Sequence, residues 1–254
     1  MAKRLRHDNM LCTVTEKLYY DDMYLKEFEA EIVSVDSNSV VLDRTAFYPT
    51  GGGQPNDTGF LTNGDRAYRV IDVQKREDDV VHVIENAEEL KAGDRVIGKI
   101  DWERRYAHMR YHTAIHILDG IVSARHNSEA LLTGGQIYED RSRIDMNIEN
   151  FTKEFVDQII EEANEFIAEG HRVYAENISR EEALKRPNLA RTEPGRRLIE
   201  SLPVVRIIVI EDLDEQSDGG THVANTKEVG RIILRKIENK GRKNKRIEFE
   251  LSTV

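Results

Sequence analysis

Cysteine is nearly missing from this sequence. Cys12 stands alone among 254 residues, so no disulfide can close within the chain and no second thiolate is present to build a cysteine metal site. Long hydrophobic runs are missing too, and nothing approaches the ~18 consecutive apolar residues that cross a bilayer. The opening MAKRLRHDNMLC is basic but leads into no apolar segment, which argues against a secretory signal and for a cytoplasmic protein. There is no internal repeat and no low-complexity tract. A surplus of positive charge is absent as well: 37 Lys and Arg face 47 Asp and Glu, for a net charge of −10. That balance excludes a uniformly basic nucleic-acid binder.

What is present is a globular composition, 39% hydrophobic and 33% charged, over a length that suits one large domain or two modest ones at roughly 100–200 residues each. The charge is also segregated. Thr152–Glu169 holds six acidic residues and one basic, whereas Arg231–Arg246 holds eight basic residues and one acidic. Such a run is the ordinary face of a solvated hairpin, and it is also what a phosphate-binding surface looks like.

The first hundred residues read as strands. Phe28, Ala30 and Ile32 alternate with glutamates, Ser39–Leu42 is β-branched, and Asn63-Gly64 marks a two-residue turn before Ala67–Val73. Val80–Ile84 and Asp94–Ile100 continue the pattern, which suggests a small antiparallel barrel or sandwich. At Asp101 the period changes. Trp102–Arg125 carries Ile115, Leu118 and Val122 at helical spacing, which puts a boundary near residue 99. A second helix is expected with Phe151, Phe155, Ile159, Ala163 and Phe166 on one stripe and Gly170 as its stop. A short strand at Val173–Ala175, a short helix near Ser179–Lys185, a buried strand at Val204–Ile210 and a hairpin pairing Ile232–Ile237 with Arg246–Leu251 complete the reading. The fold class is α+β: an antiparallel β-barrel domain over residues 1–98, then an α+β domain over 99–254 with a mixed or antiparallel sheet.

Three constellations carry chemistry. His112 and His116 lie four apart on the predicted helix, so their imidazoles share a face and can reach one divalent ion at ~2.0–2.1 Å. Two core histidines give the same spacing. The segment His112-Thr113-Ala114-Ile115-His116 lacks the glutamate of a zincin, which disfavours a metalloprotease. Asp218-Gly219-Gly220-Thr221-His222 sets a carboxylate and an imidazole on a glycine-rich turn, either as a ligand pair or as a surface Asx turn. Tyr48-Pro49-Thr50-Gly51-Gly52-Gly53-Gln54 holds three consecutive glycines, which suit close backbone approach to a ligand and equally a hairpin tip.

In this order, with Thr226-Lys227-Glu228-Val229-Gly230 after the last, these motifs resemble the alanyl-tRNA editing family, free-standing relatives of the editing domain of alanyl-tRNA synthetase, in its medium-length form. The resemblance covers nearly the whole chain. It implies a tRNA editing domain over 99–254 and a single zinc ion on His112, His116 and His222. The fourth place falls on Asp218, where the family pattern has cysteine. Zinc accepts a carboxylate oxygen at ~2.0–2.2 Å, although losing the soft ligand weakens selection against other divalent ions.

The resemblance further implies hydrolysis of the ester joining serine, or alternatively glycine, to alanine tRNA. The ion would either activate water or hold the substrate. Thr133, in Leu131-Leu132-Thr133-Gly134-Gly135-Gln136, matches the family's pocket threonine and is the first candidate to read the serine hydroxyl, with Gln54 second. Gly51, Gly52 and Gly53, or Gly219 and Gly220, are candidates to bind the substrate and its oxyanion through backbone amides. Arg231, Arg235, Lys236, Arg242, Lys243, Lys245 and Arg246 are the expected tRNA footprint, with Lys185, Arg186, Arg191, Arg196 and Arg197 as a second patch. A non-catalytic tRNA-binding relative and a threonyl-tRNA editing hydrolase are the alternatives. No oligomeric state follows from the sequence.

Overall fold

Alternation of glutamate and apolar residues sets the first sheet. In the computed structural model, which describes residues 4–5, 11–12, 14–125, 131–148, 151–190, 193–241 and 244–252, strand β1 (Glu27–Asp36) buries Phe28, Ala30 and Ile32 and exposes Glu27, Glu29 and Glu31. Five more strands follow: β2 (Ser39–Leu42), β3 (Gly59–Asn63), β4 (Arg66–Arg76), β5 (Asp79–Ile84) and β6 (Arg95–Ile100). They close into an antiparallel barrel in the order β6-β1-β2-β5-β4-β3. Closure removes the exposed edges that an open sheet would offer to aggregation. Each fully buried Val, Leu, Ile or Phe inside contributes roughly 1.5–3 kcal/mol. Gly98 is required by this packing, because a Cβ there would stand 2.4 Å from the Phe28 ring. The β3–β4 turn is shifted by one residue from Asn63-Gly64. Asn63 remains in the ladder opposite Arg66, so Gly64 and Asp65 form the turn, with Gly64 at φ +58°.

His82 lies in this core with no exposed surface. Its Nδ1 is 3.1 Å from the Val40 carbonyl oxygen and its Nε2 is 2.8 Å from the Thr45 hydroxyl. Burial pushes its pKa down to about 4 from an ordinary 6.5. Between those values the unfolded chain binds a proton that the folded chain refuses. Stability is therefore complete above pH ~6.5 and falls as pH drops, by about 3 kcal/mol at pH 4. Urea titrations from pH 7 to 4 are expected to show this loss, and His82→Gln is expected to flatten it; an unchanged slope in the variant would assign the acid sensitivity elsewhere.

Helix α1 (Trp102–Arg125) opens directly after Asp101, whose carbonyl accepts the Arg105 N–H. The expected apolar stripe is only part of its interior. From Tyr111 to Ser123 every residue is buried, so polar side chains such as His112, Thr113, His116 and Asp119 need partners inside the protein.

Strands β7 (Leu131–Ile137) and β8 (Ser142–Asn147), which the sequence reading lacked, join a late hairpin of β12 (Ile232–Asn239) and β13 (Lys245–Leu251) in a four-stranded antiparallel sheet, β7-β8-β13-β12. Helix α2 (Lys153–Glu169) is capped by the Thr152 hydroxyl and stops at left-handed Gly170. Its buried stripe is Val156, Ile159, Ile160, Ala163 and Ile167, rotated from the expected one. Phe155 and Phe166 are only half-buried, and Phe166 stacks on His171 instead.

A three-stranded antiparallel sheet is formed by β9 (Val173–Ser179), β10 (Val204–Ile210) and β11 (Asp214–Ser217). Helices α3 (Arg180–Leu184) and α4 (Glu193–Ser201) contribute Ala183 and Ile199 to the cluster on one of its faces. The stretch after β10, to which the sequence reading assigned no element, holds the strand β11. A tight turn through Asp212, at φ +64°, folds it back on β10.

Cα packing divides the chain into two compact units: residues up to Gly51 with Pro55–Arg105, and Gly52–Gln54 with Tyr106 onward. Glycines 52 and 53 and Gln54 thus belong with the second unit, although their sequence neighbours lie in the barrel. Among the described residues, no helix is long and apolar enough to cross a membrane.

Candidate metal centre

Helix α1 places His112 and His116 one turn apart, and the turn after β11 places Asp218 and His222 against them. The imidazole centroids lie 5.2 Å (112–116), 4.3 Å (112–222) and 4.8 Å (116–222) apart. Asp218 Oδ2 is 3.1 Å from His222 Nε2, and Oδ1 is 3.7 Å from His112 Nε2. One ligand atom from each of the four residues lies within 4.8 Å of all the others.

Burial pushes His112 below the ordinary histidine pKa, against the pull of Asp218 and with Arg206 adding to the shift. Burial pushes His222 well below it, reinforced by His112. Burial would raise Asp218, but His112 and the hydrogen bond from His222 outweigh it and hold the carboxyl well below its usual range. Neutral imidazoles and an ionised carboxylate are the forms that bind metal.

Three nitrogens and one oxygen, buried together and carrying one negative charge, fit a divalent ion of the zinc type. The surroundings aim these ligands. His112 Nδ1 lies 3.0 Å from Gln54 Oε1, which turns Nε2 toward the centre. Gln54 Oε1 also accepts the Thr221 N–H at 3.1 Å, and Gln54 Nε2 donates to the Thr221 hydroxyl at 2.9 Å. The Thr113 hydroxyl, 3.2 Å from His222 Nδ1, serves either tautomer of that ring. Beside the ligands opens a cavity of about 160 Å³, walled by Gly52, Gly53, Ile115, Leu132 and Ile137 among others.

Comparison with known proteins identifies the family. Residues 3–104 match the family described as tRNA synthetases class II (A), and residues 205–248 match the threonyl and alanyl tRNA synthetase second additional domain. The alanyl-tRNA editing protein AlaX-M of Saccharolobus solfataricus is 43% identical over 239 residues, covering 93% of this chain and 98% of that protein. The chain belongs to the AlaX-M family of alanyl-tRNA editing proteins. A second member, from Methanosarcina mazei, is 42% identical over 94% of this chain and 97% of its own. An alanine–tRNA ligase of Ignicoccus hospitalis is 38% identical over 89% of this chain, which spans only 25% of that longer protein.

Within this family member the expected site residues divide. His112, His116, Asp218 and His222 converge. Gln54, expected to touch substrate, is fully buried with its amide committed to His112 and Thr221, so it positions a ligand. Thr133 is exposed at a bulge between Leu132 and Gly134, and it is not among the residues lining the cavity. The extra residue of the bulge carries it out of register with its neighbours. Gly52 and Gly53 line the cavity at φ +58° and +82°, whereas Gly51 does not. Gly53 lies so close to β7 that a Cβ would stand 2.9 Å from the Gly135 carbonyl oxygen. Gly219 is exposed, and the buried Gly220 donates its N–H to Asp218 Oδ2 at 2.5 Å, so that amide serves the ligand and not an oxyanion.

The basic hairpin is less free than its composition suggests. Arg231 pairs with Glu161, Arg235 with Glu250, Lys236 with Glu238 and Arg246 with Asp145. Lys245 is buried, its ammonium donating to Asn239 and the Gly241 carbonyl. Arg242 and Lys243 lie outside the described residues. In the second patch Lys185, Arg196 and Arg197 are exposed and Arg186 pairs with Glu215, while Arg191 lies outside the described residues.

Sequence reading missed Asp119, Thr113, Thr221 and Gln216. Asp119 was within reach, since it follows His112 by seven and His116 by three on the same helix face.

Gln54→Leu is expected to lower metal affinity by about 10–100-fold, as loss of a group that orients a ligand does. Competition with a chromophoric chelator measures it, and an unchanged affinity would show that His112 needs no orienting partner.

Proposed function

We propose that this deacylase removes serine, and secondarily glycine, from mischarged alanine tRNA, using zinc held by His112, His116, Asp218 and His222. One observation carries the reading: four ligand atoms converge beside a cavity small enough for a short aminoacyl group. A void of ~150 Å³ holds one benzene, so a cavity of about 160 Å³ admits glycine, alanine or serine and turns away long side chains. A zinc ion held by these four residues would supply Lewis acidity, either to the ester carbonyl or to a water. The chain does the rest. Gln54 and Thr113 hold the imidazoles, Ile115, Leu132 and Ile137 exclude bulk water, and the Gly52-Gly53 backbone brings main-chain dipoles to the cavity wall.

Alanine tRNA as partner is supported by the family. Among the described residues, Arg231, Arg235, Lys236 and Lys240 are the exposed basic members of the hairpin, and each would exchange a carboxylate for a phosphate on binding. Chelation of the purified protein, followed by seryl-tRNA hydrolysis, tests the proposal. One ion per chain and at least a 100-fold loss of rate on its removal, restored by zinc, are expected. A chelated protein that still releases serine at full rate would refute the metal-dependent reading.

A further inference from the structure

The cavity wall contains very few side chains able to read a hydroxyl. Ile115, Leu132 and Ile137 are apolar, the glycines have no side chain, and His112, His116 and Asp218 belong to the ligand set. That leaves Gln216 and Ser217, adjacent on β11. In an antiparallel pair, residues directly opposite share a face of the sheet. Ser217 is opposite Ile207, which packs in the buried cluster with α3 and α4, so its hydroxyl is on the far face. Gln216 is opposite Ile208, on the face turned to α1.

Gln216 is held there by two carboxylates. Its Nε2 donates to Asp119 Oδ2 at 2.7 Å and to Asp214 Oδ2 at 2.7 Å. Both amide hydrogens are committed, and turning the amide over would set its carbonyl oxygen against two anions. Among the described residues Oε1 has no protein partner. The result is a fixed group on the wall that can accept a hydrogen bond and cannot donate one.

We infer that Gln216 is the specificity-determining residue for the acyl group, its Oε1 accepting a hydrogen bond from the side-chain hydroxyl of the substrate. The inference rests on the editing reading above and names how that site tells serine from alanine. A seryl group donates its hydroxyl hydrogen to Oε1, whereas an alanyl methyl covers the acceptor and leaves it unpaired. Leaving a buried polar group unpaired is the strongest form of rejection available to a binding site.

An acceptor makes a prediction that shape does not. A 3-fluoroalanyl group has nearly the outline of serine but no hydrogen to donate. Hydrolysis of seryl, 3-fluoroalanyl, glycyl and alanyl esters of alanine tRNA should be followed with the zinc-loaded wild-type protein, each rate divided by that of spontaneous hydrolysis. The seryl ester is expected to exceed the fluoroalanyl ester by about tenfold or more. In Gln216→Met the ratio of seryl to glycyl hydrolysis should fall by about tenfold or more, with one ion still bound. Fluoroalanyl hydrolysis at the seryl rate, or a seryl-to-glycyl ratio preserved in the variant, would overturn the assignment. Should the variant fail to fold, the fluoroalanyl comparison decides alone. Failure of the wild type on every ester is a different result: it removes the editing reading, and this assignment with it.

Discussion

Gly220→Ala is expected to empty the metal centre and to lower seryl-ester hydrolysis by at least 100-fold. A Cβ at this position would stand 2.2 Å from His112 Cε1, 2.4 Å from its Nδ1 and 2.9 Å from Asp218 Oδ2. None of these atoms can retreat cheaply. The His112 ring is buried, rooted in α1 and tied to Gln54, and Asp218 is one of the four residues proposed to hold the ion. Gly220 has no positive φ, so alanine strains no backbone and the effect is purely steric. Turning His112 away costs one of four ligands, and displacements of about 1 Å at a reacting centre already cost ~100-fold. Metal analysis of the purified variant, together with its hydrolysis rate, checks this. Retention of one ion at the wild-type rate would overturn the steric role of Gly220.

Asp57→Asn is expected to produce the largest loss of stability. Arg105 and Asp57 are both completely buried. Arg105 Nε donates to both carboxylate oxygens at 3.0 Å, and its Nη atoms reach the Asp57 carboxylate and the carbonyls of Met23 and Ala46. Asp57 Oδ2 also accepts the Tyr48 N–H at 2.6 Å. Neutralising the acid alone leaves a buried cation uncompensated, which costs about 3–5 kcal/mol. For a unit of roughly 100 residues this lowers the melting temperature by more than ~10 °C. Replacing both partners, as Asp57→Leu with Arg105→Met, should recover part of the loss, because no lone charge then stays behind. Thermal unfolding followed by circular dichroism decides. A single variant melting within ~2 °C of the wild type would show that water reaches this pair.

Arg105 and the residue before it show how unevenly sequence reports structure. Arg104 and Arg105 are neighbours in a charged helix start, yet one is half-exposed and the other has no exposed surface. Composition cannot separate them, because the difference depends on which face of α1 meets the protein interior. The basic run Arg231–Arg246 is incompletely legible for a related reason. A row of cations announces charge but not partners, and the partners Glu161 and Asp145 come from distant elements. The extent of helix α1, by contrast, was legible, since its period is a local property, although its fully buried stretch from Tyr111 to Ser123 was not.

The sequence by itself determined the alternating strands of the barrel and the extent of α1, because periodicity acts over a few residues, whereas the set His112, His116, Asp218 and His222 was named through the family resemblance. Only the tertiary structure decided what surrounds that set. It formed the strand bearing Gln216, set Gln54 behind His112 across 58 residues of chain, and left Thr133 outside the cavity. Those outcomes depend on register and on contacts between segments far apart in sequence, which packing against a common core fixes and local pattern does not.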